Sequence, residues 1–410
     1  MTGGLGLGDI YGVTIERIKA QGGDKSRLGL GALMWISHAE RPLTAKELCH
    51  ALAVELGSTD FSPDNIPSIT TLVGCCQGLI TVDKGETTVR LIHFTIKEYL
   101  SARPDIFSRP HSTMSEICLT YLNSQQIKVI SASTPPDVCG GPSPDIRNTP
   151  FLLYCSVHWG THAKKEHSDC AMSLALQLFK EYHCHISWRF LIYEAGYPDP
   201  DPEDFDEGPP FSGLHCSAFF GIVEIVAALI ETRCYDLDEE DFGGRSPLVW
   251  AAWAGHEAVV KILLGQEEVN PDMPDIWGQT PLSVAAEEGH EGVVKMLLER
   301  EVVNPDTPEN GGRTPLSLAA VNGHEGVVKM LVGREGVNHD KADDDGRTPL
   351  SHAAEYGREA VLKILLRCQD VDPFKADNYG MRPLQHAAQE NHHVMMVRLM
   401  MACEWANRNT

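Results

Sequence analysis

The chain has 410 residues, with 57 Asp and Glu against 34 Lys and Arg and a net charge of −23 at pH 7. That length implies two or more domains. No run of about 18 apolar residues is present, so no membrane span or membrane partner is expected. The charge is uneven: residues 1–200 carry 20 acidic and 17 basic residues, and residues 201–410 carry 37 and 17. An acidic half of that kind repels nucleic acid and attracts basic partners. The opening "MTGGLGLGDIYG" lacks the basic residues and apolar stretch of a signal peptide. The 12 cysteines include no C-x-x-C pair. Both features lead to the expectation of reduced thiols in an intracellular protein, cytoplasmic or nuclear.

In chain order, residues 1–24 form an N-terminal segment, followed by a predicted domain over 25–105. Within it "SRLGLGALMWISHA" is apolar with helical spacing. "RPLTAKELCHALAVE" opens a second helix with Thr44 and Glu47 set as a capping box. "NIPSITTLVGCCQ" is read as a third helix, and "LITVD" and "TVRLIHF" alternate around a turn as two strands. Helix, helix, helix, hairpin is the order of a winged helix. DNA binding does not follow, because 25–103 holds eight acidic and eight basic residues. The third helix, Ile66 to Cys76, has no Arg, Lys, Asn or Gln to read base edges. Without a basic footprint phosphate contacts supply no affinity, and no direct nucleic-acid partner is expected. A helical region is predicted over 106–196, then an acidic, Pro-rich linker, "YPDPDPEDFDEGPP", over 197–210.

From 207 to 403 the chain repeats itself, with a short tail over 404–410. "TPLSVAAEEGHEGVVKMLLEREVVNPD" begins at Thr280 and "TPLSLAAVNGHEGVVKMLVGREGVNHD" at Thr314, a step of 34 residues. The same step reaches Ser212, Ser246, Thr348 and Arg382, giving six units. A period in this range means stacked helix pairs, each too small to bury its own apolar face. Thr280 caps the first helix, Pro281 takes its first position, and Gly289 stops it. Val293, Val294, Leu297 and Leu298 then line one face of a second helix. Between units, Asp275/Gly278, Glu309/Gly312, Asp343/Gly346 and Asp377/Gly380 mark a turn. The end units depart from the pattern, as caps do: Ser212-Gly213 in the first, Arg382 and Asn391 in the last.

The string T-P-L-x-x-A-A-x-x-G-H resembles the ankyrin repeat, in four strong copies and two degenerate ones. That resemblance implies a mainly α solenoid whose turns project as fingers and whose task is to hold another protein. The N-terminal half is similar to a second family. "DIYGVTIERIKAQ", "GALMWISHAERPLT", "HFTIKEYLS", "EICLTYLNS" and "PFLLYCSVHWGTHA" resemble, in the right order, the end of the NTPase and the winged-helix and helical region behind it in fungal NOD-like (STAND) receptors. The expected fold is therefore six helix-turn-helix units preceded by a winged-helix-like α/β domain and a helical region.

Catalytic chemistry finds little support. "QGGDKS" and "GGLGLG" lack the spacing of a phosphate loop, so no nucleotide cofactor is expected. Cys155, His158, His162, His167 and Cys170 are ligand types for zinc, and His158 and His162 share a helix face. They lack structural-site spacing and an intervening Glu. The expectation is that Trp159 packs while the histidines lie at the helix margin, with no metal. His256, His290 and His324 follow the repeat and are read as turn-forming. No catalytic set is recognisable, so a non-catalytic scaffold is expected, regulating transcription through a partner or serving as the sensor half of a NOD-like receptor. Nothing in the sequence names the partner or fixes an oligomeric state. The candidate partner-binding surface comprises Phe242, Trp250, Trp253, Ile276, Trp277, His352, Tyr356 and Tyr379. Large aromatics at variable repeat positions are the residue types that dominate protein interfaces. The missing phosphate loop makes one outcome definite: fluorescent ATP titrated into the purified chain shows no saturable micromolar binding.

Overall fold

The computed structural model describes residues 7–58, 60–83, 87–133, 148–194, 211–390 and 392–409. The chain divides into two compact units, 1–207 and 208–410. The acidic linker expected at 197–210, Asn391 and the last residue of the tail lie outside the described residues.

The first unit begins with α1 (Leu7–Ala20), α2 (Gly23–His38), α3 (Ala45–Ala53) and α4 (Ile69–Cys75). The capping box at the start of α3 is formed: Glu47 N donates to Thr44 Oγ1 at 3.2 Å, and Thr44 N donates to Glu47 Oε2 at 2.7 Å. Two short strands follow, β1 (Ile80–Val82) and β2 (Val89–Leu91), antiparallel with Thr81 opposite Arg90. The segment before α3 joins them through a Thr44–Thr88 bridge, and Val89 N donates to Leu43 O at 2.9 Å. This is a winged-helix arrangement, with both strands shorter than the alternation suggested. β2 stops early because His93 caps α5 (Phe94–Ser101), its Nδ1 accepting from Thr95 N at 3.3 Å.

The unit continues through α6 (Pro110–Leu122), α7 (Gln125–Ser133), α8 (Leu152–Lys165), α9 (Asp169–Phe179) and α10 (Ser187–Glu194). Fully buried Trp35 of α2 packs edge-on against Phe151 and Tyr154, with ring centroids 5.4 and 5.7 Å away. The winged-helix segment and the helical region thus share one core. α1 is tied on by Tyr11, whose hydroxyl lies 2.8 Å from Thr95 Oγ1 and whose ring meets Tyr99.

The second unit is six helix pairs: α11 (Gly213–Phe220) with α12 (Val223–Thr232), α13 (Pro247–Trp253) with α14 (Glu257–Leu264), α15 (Pro281–Glu288) with α16 (Glu291–Leu298), α17 (Pro315–Asn322) with α18 (Glu325–Val332), α19 (Pro349–Glu355) with α20 (Glu359–Leu365), and α21 (Pro383–Gln389) with α22 (His393–Asn409). The caps follow the sequence. Thr280, Thr314 and Thr348 each accept from the backbone N–H three residues on, and proline follows each of them. Arg382 breaks the series, and there Gln385 Oε1 accepts from Arg382 N at 2.8 Å instead.

Two ladders stack the pairs. In the first, the ring Nε2–H of His256, His290, His324 and His392 donates to the carbonyl of Phe219, Trp253, Glu287 and Glu355 in the preceding unit, at 2.8–3.0 Å. Arg358 Nε serves Val321 O the same way at 2.8 Å. The helix-stopping glycine makes room for that ring. Gly289 has φ +81°, and a Cβ there would lie 2.4 Å from His324 Nδ1. In the second ladder the turns pair edge to edge: Ile276 N to Gly243 O, Asn310 N to Trp277 O, Asp344 N to Gly311 O and Asn378 N to Asp345 O, at 2.8–3.1 Å.

The apolar core runs between the ladders. Leu248, Leu282, Leu316 and Leu350 are wholly buried, as are the paired alanines behind each of them. Truncating Leu282 leaves a cavity between units, so Leu282→Ala is expected to lower stability by about 2–5 kcal/mol in urea unfolding.

Candidate protein-binding surface

The eight candidate residues separate into three groups. Ile276, Trp277, Tyr356 and Tyr379 are exposed, at 58, 42, 48 and 72%. Phe242 and Trp253 are half-buried. Trp250 and His352 are buried, at 0 and 5% exposure, and the expectation that they line an open surface is corrected. Both stand at the fifth position of their unit, counting the cap residue as first, where Val284, Leu318 and His386 are also buried. That position points under the turn rather than outward.

What the fifth residue does there is a recurrent pairing with the acidic residue nine before it. Trp250 Nε1 donates to Asp241 Oδ2 at 2.8 Å. His352 and His386 make the same contact, Nε2 to Asp343 Oδ2 and to Asp377 Oδ2, each at 2.8 Å. The other carboxylate oxygen ties the turn together, as where Asp275 Oδ1 accepts from Trp277 N and Gln279 N. Burial pushes the Asp343 and Asp377 carboxyls up, but hydrogen bonds from the histidine and from the turn's N–H groups outweigh it and hold both below the usual range. Where the fifth residue is Val284 or Leu318, arginine supplies the positive charge. Arg245 Nε lies 3.8 Å from Asp275 Oδ2, and Arg313 Nε 2.6 Å from Glu309 Oε1. At Asp275 burial wins and the carboxyl is raised.

Arg245 also organises the aromatics. Its guanidinium lies over the ring of Trp250, 4.9 Å from the centroid, and over that of Trp277, 4.6 Å away. Such stacking favours the cation on both sides. Trp250 in turn meets Phe211, Phe219 and Trp253 edge-on at 5.4–6.0 Å, and Phe219 stacks on Trp253 at 5.8 Å. Trp277 therefore has two roles: one face roofs a buried cation and the other meets solvent. At the turn tips Ile276, Asn310, Asp344, Asp345 and Tyr379 are all exposed, although Asn310 Nδ2 donates to Ile276 O at 2.9 Å and the Tyr379 hydroxyl donates to Asp345 Oδ1 at 3.4 Å. The tips change along the array from apolar through neutral and acidic to aromatic.

Comparison with known families matches three overlapping copies of ankyrin repeats to residues 164–275, 260–343 and 332–409. The chain belongs to the ankyrin-repeat family. Its winged-helix segment matches a second description, the winged helix domain of GPI inositol-deacylase, over residues 17–118. No curated protein matches the chain. Ankyrin repeats are protein–protein interaction modules, and the turn tips described above are the fingers of this ankyrin array. Among the described residues no helix is long and apolar enough to cross a membrane.

Sequence reasoning missed the acid-to-fifth-residue pairing, although its spacing is visible as Asp241–Trp250, Asp343–His352 and Asp377–His386. It also placed His158 and His162 at a helix margin, whereas His162 is fully buried; Trp159 is buried as expected. The reason is Tyr154, whose hydroxyl lies 2.9 Å from His162 Nε2 and satisfies it inside the fold.

The aromatic arrangement depends on its cation. Arg245→Met keeps the length of the side chain but leaves the Asp275 carboxylate buried without its positive partner. The ankyrin array is expected to lose about 3 kcal/mol, read as a lower urea midpoint at unchanged slope.

Proposed function

We propose that this chain is a non-catalytic intracellular adaptor whose ankyrin fingers hold a protein partner with apolar pockets inside a basic rim. The observation that carries the reading is the set of exposed apolar side chains on finger tips the fold does not need, Ile276 and Tyr379 above all. Exposed acids are carried by the same array: Asp344 and Asp345 at a finger tip and Glu288 at the end of α15. Apolar tips supply contact energy, about 25 cal/mol per Å² buried, while the acids steer a basic surface and reject an acidic one. The intracellular setting is supported by the cysteines, since Cys49, Cys75, Cys76, Cys118, Cys155 and Cys216 are buried free thiols. An influence on transcription would run through a DNA-binding partner, because residues 25–103 balance eight acidic against eight basic residues and so offer no excess of positive charge.

A second reading is the sensor half of a NOD-like receptor that works with an NTPase. The winged-helix match at 17–118 favours it, because such a module follows the NTPase in the family resembled. The two readings share the ankyrin surface and differ in what lies upstream. Co-purification with an NTPase supports the second; co-purification with a basic transcription factor and no NTPase supports the first.

The surface is tested on whichever partner is captured. Ile276→Ala is expected to weaken binding about tenfold, or roughly 1.4 kcal/mol, with the thermal midpoint unchanged. Trp277→Ala is expected to cost about 2 kcal/mol of binding and also to lower the midpoint, because it uncovers Arg245. If both variants bind as the parent does, the fingers are not the interface.

A further inference from the structure

Outside the ankyrin array, the first unit gathers histidines from distant parts of the chain. His111 stands in the first turn of α6, His162 in the last turn of α8, and Glu40 just after α2. His111 Nδ1 lies 2.8 Å from His162 Nδ1, and Glu40 Oε1 lies 3.6 Å from the same His162 atom. One ligand atom from each of the three lies within 4.8 Å of the others. His162 is fully buried, His111 is half-buried, and Glu40 is an exposed residue whose side chain keeps 22% of its surface, so solvent reaches the group from the carboxylate side.

We propose that Glu40, His111 and His162 form a divalent-metal site, suited to zinc, with a fourth position left to water. Two imidazoles and a carboxylate are a common zinc donor set, and calcium or magnesium would demand oxygen donors instead. Donors bound to one tetrahedral zinc at about 2.0–2.1 Å lie roughly 3.3 Å apart. The 2.8 and 3.6 Å separations from His162 Nδ1 bracket that value, and the third separation, His111 to Glu40, is within 4.8 Å.

The surroundings set the histidine for the task. The Tyr154 hydroxyl oxygen lies 2.9 Å from His162 Nε2 and accepts from Glu40 N at 3.1 Å. With Nε2–H donated to that oxygen, the Nδ1 lone pair of His162 faces the other two donors. A metal-bound histidine is held in this manner, its second nitrogen anchored by an oxygen. Burial, with His111 and Lys165 adding to it, pushes His162 down to about 3, so the ring is neutral at physiological pH. In the unmetallated protein one proton must lie between the two facing Nδ1 atoms. On metal binding His111 gives up that proton and takes one from solvent at Nε2, so both rings stay neutral and both Nδ1 lone pairs go to the ion.

One neighbour opposes the ion. Lys165 Nζ lies 2.6 Å from Glu40 Oε1, on the oxygen a metal would use. His38 stacks edge-on to His111 at 5.6 Å, and Glu166 Oε2 accepts from Ser112 N close by. The Lys165 ammonium makes a prediction that disruption of the fold cannot imitate, since removing it should tighten metal binding.

The test uses the full chain without a histidine tag, stripped with chelator and titrated with Zn2+ against a chromogenic chelator. One equivalent is expected to bind with micromolar or tighter affinity, and Co2+ in its place should give the visible bands of tetrahedral coordination. Glu40→Gln, at an exposed position, and His111→Ala are each expected to weaken binding at least tenfold. Lys165→Met should strengthen it several-fold, with circular dichroism unchanged in all three. Zn2+ should raise the thermal midpoint of the parent and of Lys165→Met more than that of Glu40→Gln. Absence of saturable binding overturns the site and leaves an imidazole–imidazole hydrogen bond. So does stoichiometric binding that ignores both Glu40→Gln and His111→Ala. Should His111→Ala fail to fold, the opposed effects of Glu40→Gln and Lys165→Met decide alone.

Discussion

A single contact recurs through the array and governs its geometry: an imidazole N–H reaching back to a carbonyl at the end of the first helix of the preceding unit. Helix ends leave carbonyl groups without intrahelical partners, and a buried, unpartnered carbonyl is costly. His290 answers the need of Trp253 O, and His324 that of Glu287 O. The ring fits only because Gly255 and Gly289 turn the chain at φ +71° and +81° with no Cβ in its way. Any other residue would be strained there and would also strike the ring. Each unit thus satisfies its predecessor, so the helix pairs stack in one register and none is complete alone. Arg358 fills the role at Val321, so a long planar donor suffices and imidazole is not essential.

Once the stacking is fixed, each turn must dispose of its own buried acid. The carboxylate is needed because one of its oxygens collects two N–H groups of the turn, as Asp275 and Asp343 do. Its remaining oxygen then sits beneath the turn, where water is scarce. Trp250, His352 and His386 supply a donor from the fifth position; where that position is Leu318, Arg313 donates to Glu309, and where it is Val284, Arg245 sets its charge 3.8 Å from Asp275 Oδ2. The choice has consequences at the surface. An arginine brought in for a carboxylate needs its own cover, and at Arg245 two tryptophans provide it. Trp277 is therefore half structural although it stands at a tip.

Much of this was legible in the sequence. The period, the Thr-Pro caps, the glycine stops and the core leucines repeat at fixed spacing, and local chemistry alone accounts for them. The winged-helix order was legible too, since each helix there carries its own cap or apolar spacing. Two kinds of feature were not. Trp250 and Trp277 look alike as aromatics near a turn, and only the backbone shows that one points under it and the other over it. The grouping of Glu40, His111 and His162 joins residues 40, 111 and 162, with no local pattern linking them. Proximity of that sort arises from the packing of α2, α6 and α8, which no window of sequence contains.

The finger ladder also explains where partner choice must reside. Because each finger's backbone bonds the next through the same N–H and carbonyl groups, the fingers hold one geometry whatever their side chains are. The backbone ladder does not depend on which side chains stand at the tips, and here the tips differ: Ile276 with Trp277, Asn310 with Gly311, Asp344 with Asp345, Asn378 with Tyr379. Apolar, neutral, acidic and aromatic tips follow one another at a fixed spacing. A partner gains from the whole series only if apolar and basic groups are presented in the matching order. A chain with the same composition in another order would bury Ile276 against charge and leave Asp344 and Asp345 unpaired, each at a cost. Affinity here rests on a few apolar tips, and selectivity on the acids set between them.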